Sequence, residues 1–579
     1  MRTVKRFLHT SLIITAICLV PAFGAHAKAT NKSSTPHGYF ISIDGLQPKL
    51  LESYVGRSEA NPKGFAALWN DGAVYTHATP PVISITAASH AGIATCSTPA
   101  RHGIIGNHFL RNHKKVSGFK ESLQSETFWE AARRQGHKVA SFAYVGMDGT
   151  TPARTADLGI SYPDESRMGK PAIVTVAPGD VKPVDLDVVI NPEKPLKLPL
   201  HFLATKSGSI VKYEDFRGEA HQINLPGAAE AHAPANLLIH DGERLRRIVI
   251  RLVSGQANTY VVSRASYNDA HPETFRRSLD DAGLVWPDVN IKGLDLALSP
   301  TETVAVQGLL DSFLADVASR AIPEFNPDIV LFYQPLIDST GHGFQNKLPN
   351  SDNLNSDDPV TAAYRAAFHL IDNNLAKVLA TAQSNDHVAL MGDHGMTATT
   401  TILNVAPVLP AGTEELFDVY ASDAMLFLYP KTDASGSPDA TAVKKSGEAV
   451  RDALAKLQWR DKPVIEMVAE RANLNANNKN NKSDGWQYGD AVWAFRSEDG
   501  IWFNNNPLDK NTFLPAKVPG MHGQNPASPA MHTALMFSGP GVKAEIHRTN
   551  VVSLIQAVPT FARLLKLNPP KDCEGVPVF

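Results

Sequence analysis

Three short apolar runs, each ending at or near an acidic residue, constrain the fold of this 579-residue chain most strongly. They are Gly38 to Gly45 (GYFISIDG), Pro327 to Tyr333 (PDIVLFY) and His387 to Met396 (HVALMGDHGM). Continuous apolar, β-branched runs of this length are typical of parallel strands that are buried on both faces. The sequence therefore predicts an α/β fold with a doubly wound, largely parallel sheet.

Acidic and histidine side chains stand at or just after the end of each predicted strand. Asp44 ends the first run, Asp338 and His342 follow the second, and Asp393 and His394 lie in the third. Because an α/β sheet gathers the carboxyl ends of its parallel strands at one edge, we expect these side chains to lie together. The spacing of four between Asp338 and His342 places both on one face of a helical turn. Carboxylate oxygen with imidazole nitrogen suits zinc, or more loosely manganese or iron.

A threonine is the candidate nucleophile. In the run VISITAASHAGIAT the helix formers begin at Ala87, so Thr86 lies at or near a helix N-terminus. A threonine in this place is ordinarily a helix cap, but beside a divalent ion its hydroxyl would have a lowered pKa, and the helix dipole would favour its oxyanion. Asn107, in the loop GIIGN, is either a turn residue or a hydrogen-bond donor to a phosphoryl oxygen.

Together these motifs resemble the alkaline phosphatase superfamily, and within it the type I phosphodiesterase/nucleotide pyrophosphatase branch. The resemblance covers nearly the whole chain after its N-terminus, except for one insert. It rests on Asp44 in a strand-end DG, Thr86 four residues before His90, Asn107 in GIIGN, Asp338 and His342 in DSTGHG, Asp393 and His394 in GDHGM, His522 in MHG, and the stretch ETFWEAARRQGHKVASFAY.

The resemblance implies two bound zinc ions, with other divalent metals as alternatives. His532 competes with His522 for the last ligand position, and the pattern MHGQN followed by FSGPG favours His522. The ligand sets that the resemblance implies are Asp338, His342 and His522 for one ion, and Asp44, Asp393 and His394, with Thr86 bridging, for the other.

The function that the resemblance implies is a two-metal phosphodiesterase or nucleotide pyrophosphatase acting on small phosphate esters. Thr86 would attack in line to give a phosphothreonine, which water would hydrolyse. Asn107 favours diesters, because members that prefer monoesters tend to place an arginine against the extra phosphate charge. The alternative is a phosphomonoesterase or a phosphonate hydrolase, followed by a sulfatase or a metal-binding protein without catalysis.

Two details distinguish the chain from the nucleotide-cleaving members and from the sulfatases of this superfamily. Nucleotide-cleaving members place an aromatic residue after the nucleophile, where it stacks on the base, whereas this chain has Ala87. Tyr144 and Phe109 are candidate replacements. The segment Ser97 to Arg101 (STPAR) fits the pattern from which sulfatases form formylglycine, but in register Thr86 occupies the modified position.

The N-terminus predicts export. Arg2, Lys5 and Arg6 precede the apolar run Ser11 to Val20, and Ala25 to Ala27 is a small-residue cleavage site, so residues 1–27 are a predicted signal peptide. The predicted location is periplasmic or secreted, without a stable membrane anchor. After cleavage 52 basic and 58 acidic residues remain, a net charge of −6, so we expect no binding to nucleic-acid polymers. The sequence leaves the oligomeric state open.

The remaining length of about 550 residues predicts more than one unit. We expect residues 28–165 and 293–579 to form the catalytic α/β core. Residues 166–292, with short alternating runs between Gly, Pro and Asp, predict an antiparallel β insert, whose outer face is solvated and which is a candidate roof over the site. Residues 430–519 predict a smaller α+β excursion, with a helix over Thr441 to Leu457 and a mobile loop over Asn473 to Asp484.

Two cysteines, Cys96 and Cys573, remain after the predicted cleavage. In an oxidising compartment they can form a disulfide that ties the nucleophile region to the C-terminus. Two independent buried thiols are the alternative, and the sequence leaves both open.

Overall fold

All three apolar runs form buried strands. The computed structural model describes residues 37–189, 196–205, 208–226, 234–253, 256, 258–290, 298–432, 439–471 and 485–579. The signal peptide expected over residues 1–27 and the loop expected over Asn473 to Asp484 lie outside these ranges. The described residues belong to one compact unit that extends from residue 36 to residue 579.

The first part of the chain alternates strands and helices. Its strands are β1 Gly38–Ile43, β2 Ala73–Thr79, β3 His108–Arg111, β4 Lys114–Ser117, β5 Val139–Phe142 and β6 Leu158–Ser161. Its helices are α1 Pro48–Val55, α2 Phe65–Asp71, α3 Thr86–Thr95, α4 Pro99–His102 and α5 Phe128–Arg134.

Antiparallel strands follow, as expected for the insert. They are β7 Ala172–Thr175, β8 Val181–Val189, β9 Leu196–Thr205, β10 Gly208–Glu214, β11 Ala220–Pro226, β12 Ala235–His240, β13 Leu245–Leu252, β14 Thr259–Val262 and β15 Ser266–Tyr267. One sheet has the order β11-β10-β9-β8, and the other has the order β12-β13-β14-β7, with β15 also paired to β13. Apolar side chains from both sheets form one shared buried cluster, which is separate from the core of the main sheet.

The last part of the chain returns to the α/β pattern. Its helices are α6 Glu273–Asp281, α7 Pro300–Phe325, α8 Leu336–Phe344, α9 Pro359–Leu379, α10 Thr413–Leu416, α11 Ala440–Ala455 and α12 Ala557–Leu564. Its strands are β16 Asp269–His271, β17 Ile329–Gln334, β18 His387–Met391, β19 Thr397–Ala398, β20 Thr401–Asn404, β21 Phe417–Ser422, β22 Met425–Pro430, β23 Gln458–Trp459, β24 Lys462–Pro463, β25 Ile465–Glu470, β26 Trp493–Ser497, β27 Ile501–Asn504, β28 Phe513–Pro515, β29 Gly520–Met521, β30 Thr533–Ser538 and β31 Glu545–Ser553.

The main sheet has nine strands in the order β16-β6-β5-β17-β1-β18-β30-β2-β31. The expected parallel core is present, because β1 pairs in parallel with both β17 and β18, and β5 continues the parallel arrangement beyond β17. Two strands run the other way: β30 lies antiparallel between β18 and β2, and β16 is antiparallel at one edge. The sheet is therefore mixed, with a parallel centre.

This topology brings separate chain segments to one edge of the sheet. The carboxyl ends of β17, β1 and β18 are in register, with Ile43 opposite Gln334 and Ser42 opposite Met391. Because β30 is antiparallel, its N-terminal end lies at that same edge, and the loop before it carries His522. The segment after β2 also reaches this edge and leads into α3, which begins at Thr86.

The excursion expected over residues 430–519 begins earlier, at Phe417, and its four-stranded sheet packs against the segment that leads into α3. A buried apolar cluster joins Ile85 and Ala87 to Met425 and Phe427 of β22 and to Tyr488. The other face of the same four-stranded sheet, β21-β22-β26-β25, packs on α11 through a separate cluster. The expected helix over Thr441 to Leu457 is α11. Ile85 and Ala87, the neighbours of Thr86, therefore share an apolar cluster with this excursion and not with the β insert.

A disulfide joins Cys96 and Cys573, which are 477 residues apart in the chain. Cys96 lies directly after α3, and its carbonyl also accepts hydrogen bonds from the N–H groups of Glu574 and Gly575 at 2.8 and 3.1 Å. Glu574 in turn accepts from the Thr98 N–H at 2.7 Å. Of the two outcomes left open by the sequence, the structure has the disulfide, which fixes the C-terminal tail to the end of α3.

Candidate active site and metal centre

Three buried carboxylates meet at the carboxyl edge of β17, β1 and β18. Asp44 follows β1, Asp338 lies in the first turn of α8, and Asp393 follows β18. The segments are tied together, because the Asp338 N–H donates to the Asp44 carbonyl at 3.1 Å and the Gly45 N–H donates to Asp393 Oδ1 at 3.2 Å. Each carboxylate keeps one buried oxygen that has no hydrogen-bond partner, namely Asp44 Oδ1, Asp338 Oδ1 and Asp393 Oδ2.

The electrostatics of this group are unfavourable without cations. Burial, together with the charges of Asp393 and Asp338, raises the pKa of Asp44 well above its usual range. Tyr333 acts against this rise, since its hydroxyl donates to Asp44 Oδ2. Burial also acts to raise the pKa of Asp338, but the charge and hydrogen bond of His342 outweigh it and hold that pKa below its usual range.

Three histidines complete the group, and a backbone carbonyl fixes the orientation of each ring. In every case Nδ1 faces a carbonyl oxygen, so that Nδ1–H donates to it and Nε2 is directed at the carboxylates, where it can bind a metal ion once it is unprotonated. The contacts are His342 to the Gly520 carbonyl at 2.7 Å, His394 to the Gly395 carbonyl at 2.9 Å, and His522 to the Ser84 carbonyl at 3.3 Å.

The ligand atoms form two overlapping groups. Asp44, Asp393 and His394 make one, and Asp338, His394 and His522 make the other, each with its ligand atoms within 4.8 Å of one another. His394 belongs to both groups. Its ring also stacks on that of His522, with centroids 3.7 Å apart. The resemblance placed His342 in the second group. Its Nε2 lies 3.3 Å from Asp338 Oδ2, so His342 joins that group through Asp338.

His532, the competing ligand candidate, lies elsewhere. Its ring packs edge-on against His77 with centroids 5.5 Å apart, and it belongs to neither group of ligand atoms. The structure therefore brings His522, and not His532, to the carboxylates.

Thr86 is the first residue of α3 and faces the same group. Its Oγ1 lies 3.1 Å from His394 Nε2, and since His394 Nδ1–H donates to a carbonyl, the Thr86 hydroxyl donates to Nε2. No side chain caps the N-terminus of α3. The threonine thus holds its hydroxyl at a positive helix end, among groups that suit divalent cations.

Asn107 lies beside this helix start. Its Oδ1 accepts the N–H of Ala87 at 2.9 Å, which leaves the two Nδ2 hydrogens for another acceptor. Ala87 is buried, and a Cβ built on Gly118 would lie 3.0 Å from the Ala87 Cβ. The position after Thr86 is therefore filled by packing and has no room for a stacking ring.

The two aromatic residues considered as replacements are buried as well. Tyr144 packs in the core with Phe40 and Trp129, and Phe109 is 2% exposed within the cluster beside Ala87. Neither offers a face to a ligand, so the expectation that Tyr144 or Phe109 substitutes is wrong.

Sequence reasoning missed Tyr333 and Tyr162 near the site, and it named His90 in a motif without giving it a role. His90, one turn after Thr86, contacts the Thr86 carbonyl through Nδ1 and the Ser42 hydroxyl through Nε2, both at 2.9 Å, and so links α3 to β1. Tyr333 holds Asp44. Tyr162 follows β6 directly, and burial of its hydroxyl, together with the charges of Asp311, Asp44 and Asp338, raises its pKa above the usual range. The spacing of one helical turn between Thr86 and His90 is a sequence signal that His90 lies near the site. The positions of Tyr333 and Tyr162 depend on the order of the strands in the sheet, for which the sequence has no such signal.

The site fits divalent cations. Three unpartnered carboxylate oxygens and the Nε2 atoms of oriented histidines form a donor set of the kind that zinc prefers. Buried like charges at this density require compensation by cations or protons. These residues are the candidate metal ligands of the chain.

Comparisons with known proteins agree with this fold. The sequence profile of the type I phosphodiesterase/nucleotide pyrophosphatase family matches residues 39–525. Murine ectonucleotide pyrophosphatase/phosphodiesterase 5 superposes with a TM-score of 0.50 at 13% identity, covering 92% of this chain and 96% of that one. The alkaline phosphatase PafA superposes with a TM-score of 0.50 at 16% identity, covering 95% and 99%. A search of curated proteins gave no match.

The fold and the matched family define a hydrolase of the alkaline phosphatase superfamily, whose members depend on metal ions. The chain belongs to the type I phosphodiesterase/nucleotide pyrophosphatase family, and the resemblance drawn from its motifs is confirmed. Within the described residues, no helix combines the length and apolarity needed to span a bilayer.

The charge arrangement predicts opposite effects of one substitution with and without metal. Asp44→Asn removes one of three crowded carboxylates, while its amide oxygen still accepts from Tyr333. We expect the variant to leave the melting temperature of the chelator-treated protein unchanged or higher, and to lower that of the zinc-loaded protein. Ligand binding stabilises by about 4 kcal/mol at a thousand times the Kd, which sets the scale of the loss.

The measurement is calorimetric melting of both proteins in EDTA and in excess zinc. An equal loss of stability in both conditions would show that Asp44 is only a structural residue.

Proposed function

We propose that this chain is an exported phosphoric diester hydrolase that also cleaves nucleotide-type pyrophosphate bonds and acts through a phosphothreonine on Thr86. One observation carries the proposal: the Thr86 hydroxyl stands at the start of α3, 3.1 Å from His394 and next to the unpartnered carboxylates. A threonine-to-alanine variant of murine ectonucleotide pyrophosphatase/phosphodiesterase 5 is described as inactive and in complex with AMP, which supports the same role for a threonine here.

The residues that would hold two zinc ions are those of the two acid and histidine groups. When bound, the ions would lower the pKa of the attacking hydroxyl or water and neutralise charge that develops on the phosphoryl oxygens. The expected ligands are Asp338, His342 and His522 for one ion and Asp44, Asp393 and His394 for the other, with Thr86 beside the second.

The reaction would proceed in two displacements. Thr86 Oγ1 gives its proton to solvent water and attacks phosphorus, and the bond from phosphorus to the leaving alcohol breaks on the opposite side. The departing oxygen takes up a proton from water. A water molecule then attacks the phosphothreonine, releases the phosphomonoester and returns the Thr86 hydroxyl. His90 holds the Thr86 carbonyl, so that α3 keeps the hydroxyl in place during both steps.

The preference for diesters rests on the charge of the groups around the nucleophile. Asn107 is positioned by the Ala87 N–H and has a neutral amide to donate to a phosphoryl oxygen, which suits a singly charged diester. Within the described ranges, no lysine or arginine makes a hydrogen bond or ion pair with Asp44, Asp338 or Asp393. The alternative, a phosphomonoesterase or phosphonate hydrolase, would need a cation for the second charge.

Export is supported by two independent features. The N-terminal 27 residues have the order of a secretory signal peptide, and the Cys96–Cys573 disulfide suits an oxidising compartment.

The nucleophile assignment predicts that Thr86→Ala abolishes turnover while zinc content and melting temperature are kept. Thr86→Ser, which keeps a hydroxyl, should retain measurable activity. The direct readout is mass spectrometry of protein quenched in acid during turnover, in which a phosphate should be found on residue 86 of the wild type. Retention of most activity by the alanine variant would exclude Thr86 as the nucleophile.

The diester preference predicts that kcat/KM for bis(p-nitrophenyl) phosphate exceeds that for p-nitrophenyl phosphate. Asn107→Ala should lower diester turnover by roughly 10²- to 10³-fold, as with loss of an oxyanion donor. Asn107→Asp is the matched control for folding, since its carboxylate still accepts the Ala87 N–H but has no hydrogen to donate. If both variants turn over diesters at the wild-type rate, Asn107 does not contact the substrate, and a wild-type ratio below one would favour the monoesterase.

A further inference from the structure

A tight turn of the excursion ends beside the catalytic group. Asp423 and Ala424 join β21 to β22, and Asp423 adopts a left-handed conformation with φ of 54°. The turn is fixed by its backbone: the Asp423 carbonyl accepts the Phe503 N–H at 2.9 Å, and the Ala424 carbonyl accepts the Ser497 N–H at 3.0 Å. Its position is therefore set by the strands that follow, β26 and β27.

Ala424 shows where this turn lies. A Cβ built on Gly523, one residue past the last histidine of the site, would lie 3.0 Å from Ile85 and 3.3 Å from the Ala424 Cβ. Ile85 immediately precedes Thr86. The turn thus stands at the junction of the nucleophile segment and the loop before β30, and Asp423 adjoins both.

The Asp423 carboxylate has no cationic partner. The Ser422 hydroxyl donates to its Oδ2 at 3.0 Å, and none of the described lysines or arginines forms an ion pair with it. Burial raises the pKa of Asp423, while the Ser422 hydrogen bond and the charges of His342 and His108 act against that rise. The charges of His342, a candidate ligand, and of His108, the residue after Asn107, therefore act on this carboxylate.

We propose that Asp423 is a specificity-determining residue that disfavours a second negative charge on the phosphate group bound at Thr86. A partly buried acid without a counter-ion is costly to retain, which indicates a functional role. The inference rests on the proposed function, since it concerns which phosphate esters that site accepts. Asp423 repels the single negative charge of a diester. It repels both negative charges of a doubly charged monoester or of inorganic phosphate.

The size of the effect follows from the Coulomb interaction. For any two unit charges about 8 Å apart at an effective dielectric constant of about 20, the repulsion corresponds to roughly a thirtyfold change in an equilibrium constant, before screening by salt. We therefore expect removal of the charge to tighten binding of inorganic phosphate by about tenfold at low ionic strength.

The test uses Asp423→Asn in the full zinc-loaded protein. Asparagine tolerates the left-handed conformation as well as aspartate does, and its amide oxygen still accepts from Ser422, so the turn is kept. Asp423→Glu keeps the charge. Asp452→Asn is the matched control, because Asp452 is 58% exposed on α11 and the same charge is lost away from the site.

Binding of inorganic phosphate is measured by titration calorimetry, and kcat/KM is measured for bis(p-nitrophenyl) phosphate and p-nitrophenyl phosphate. Asp423→Asn should bind phosphate about tenfold more tightly and raise the monoester kcat/KM by a similar factor, with a change below threefold for the diester. The Glu variant and the Asp452 control should bind phosphate as the wild type does.

Phosphate affinity within twofold of wild type in Asp423→Asn would overturn the proposal. Proportional loss of activity on both esters, without tighter phosphate binding, would also overturn it, because that result indicates a structural role. Failure of the proposed function is a separate result: it appears as absence of diester turnover by the wild type, whatever the phosphate affinities of the variants.

Discussion

The burial of three like charges at one sheet edge is the constraint on which the rest of the site depends. Asp44, Asp338 and Asp393 each keep an oxygen without a partner in a protein interior where an isolated charge is strongly disfavoured. Among the described residues, the groups that contact these carboxylates are backbone N–H groups, a tyrosine hydroxyl and histidines held by carbonyls, with no lysine or arginine. Such a group is stable only with cations or bound protons, and the oriented imidazoles favour cations.

The mixed sheet explains how distant parts of the chain reach this edge. Parallel pairing of β17, β1 and β18 aligns the three carboxylates, and the antiparallel β30 brings the loop with His522 to the same side. Helix α3, which begins at Thr86, is held at both ends. His90 links its first turn to β1, and the Cys96–Cys573 disulfide fixes its C-terminal end to the tail of the chain. A rigid helix limits the movement of the Thr86 hydroxyl, which is what in-line attack requires.

Much of this arrangement is predictable from the sequence, because the strands and their terminal acids are local patterns. The runs around Asp44 and Asp393 and the helix start at Thr86 lie where the patterns place them. Features that depend on long-range packing are not predictable in this way. The burial of Tyr144 and Phe109, the position of Asp423 and the apposition of the 417–497 excursion to Thr86 follow from how sheets pack on one another, and neither periodicity nor spacing carries that information.

Anomalous scattering from zinc-loaded crystals at the zinc absorption edge would show whether this edge of the sheet binds two metal ions beside Thr86. We expect two peaks per chain, one against Asp338, His342 and His522 and the other against Asp44, Asp393 and His394. A single peak shared through His394, or peaks only at other residues, would contradict it.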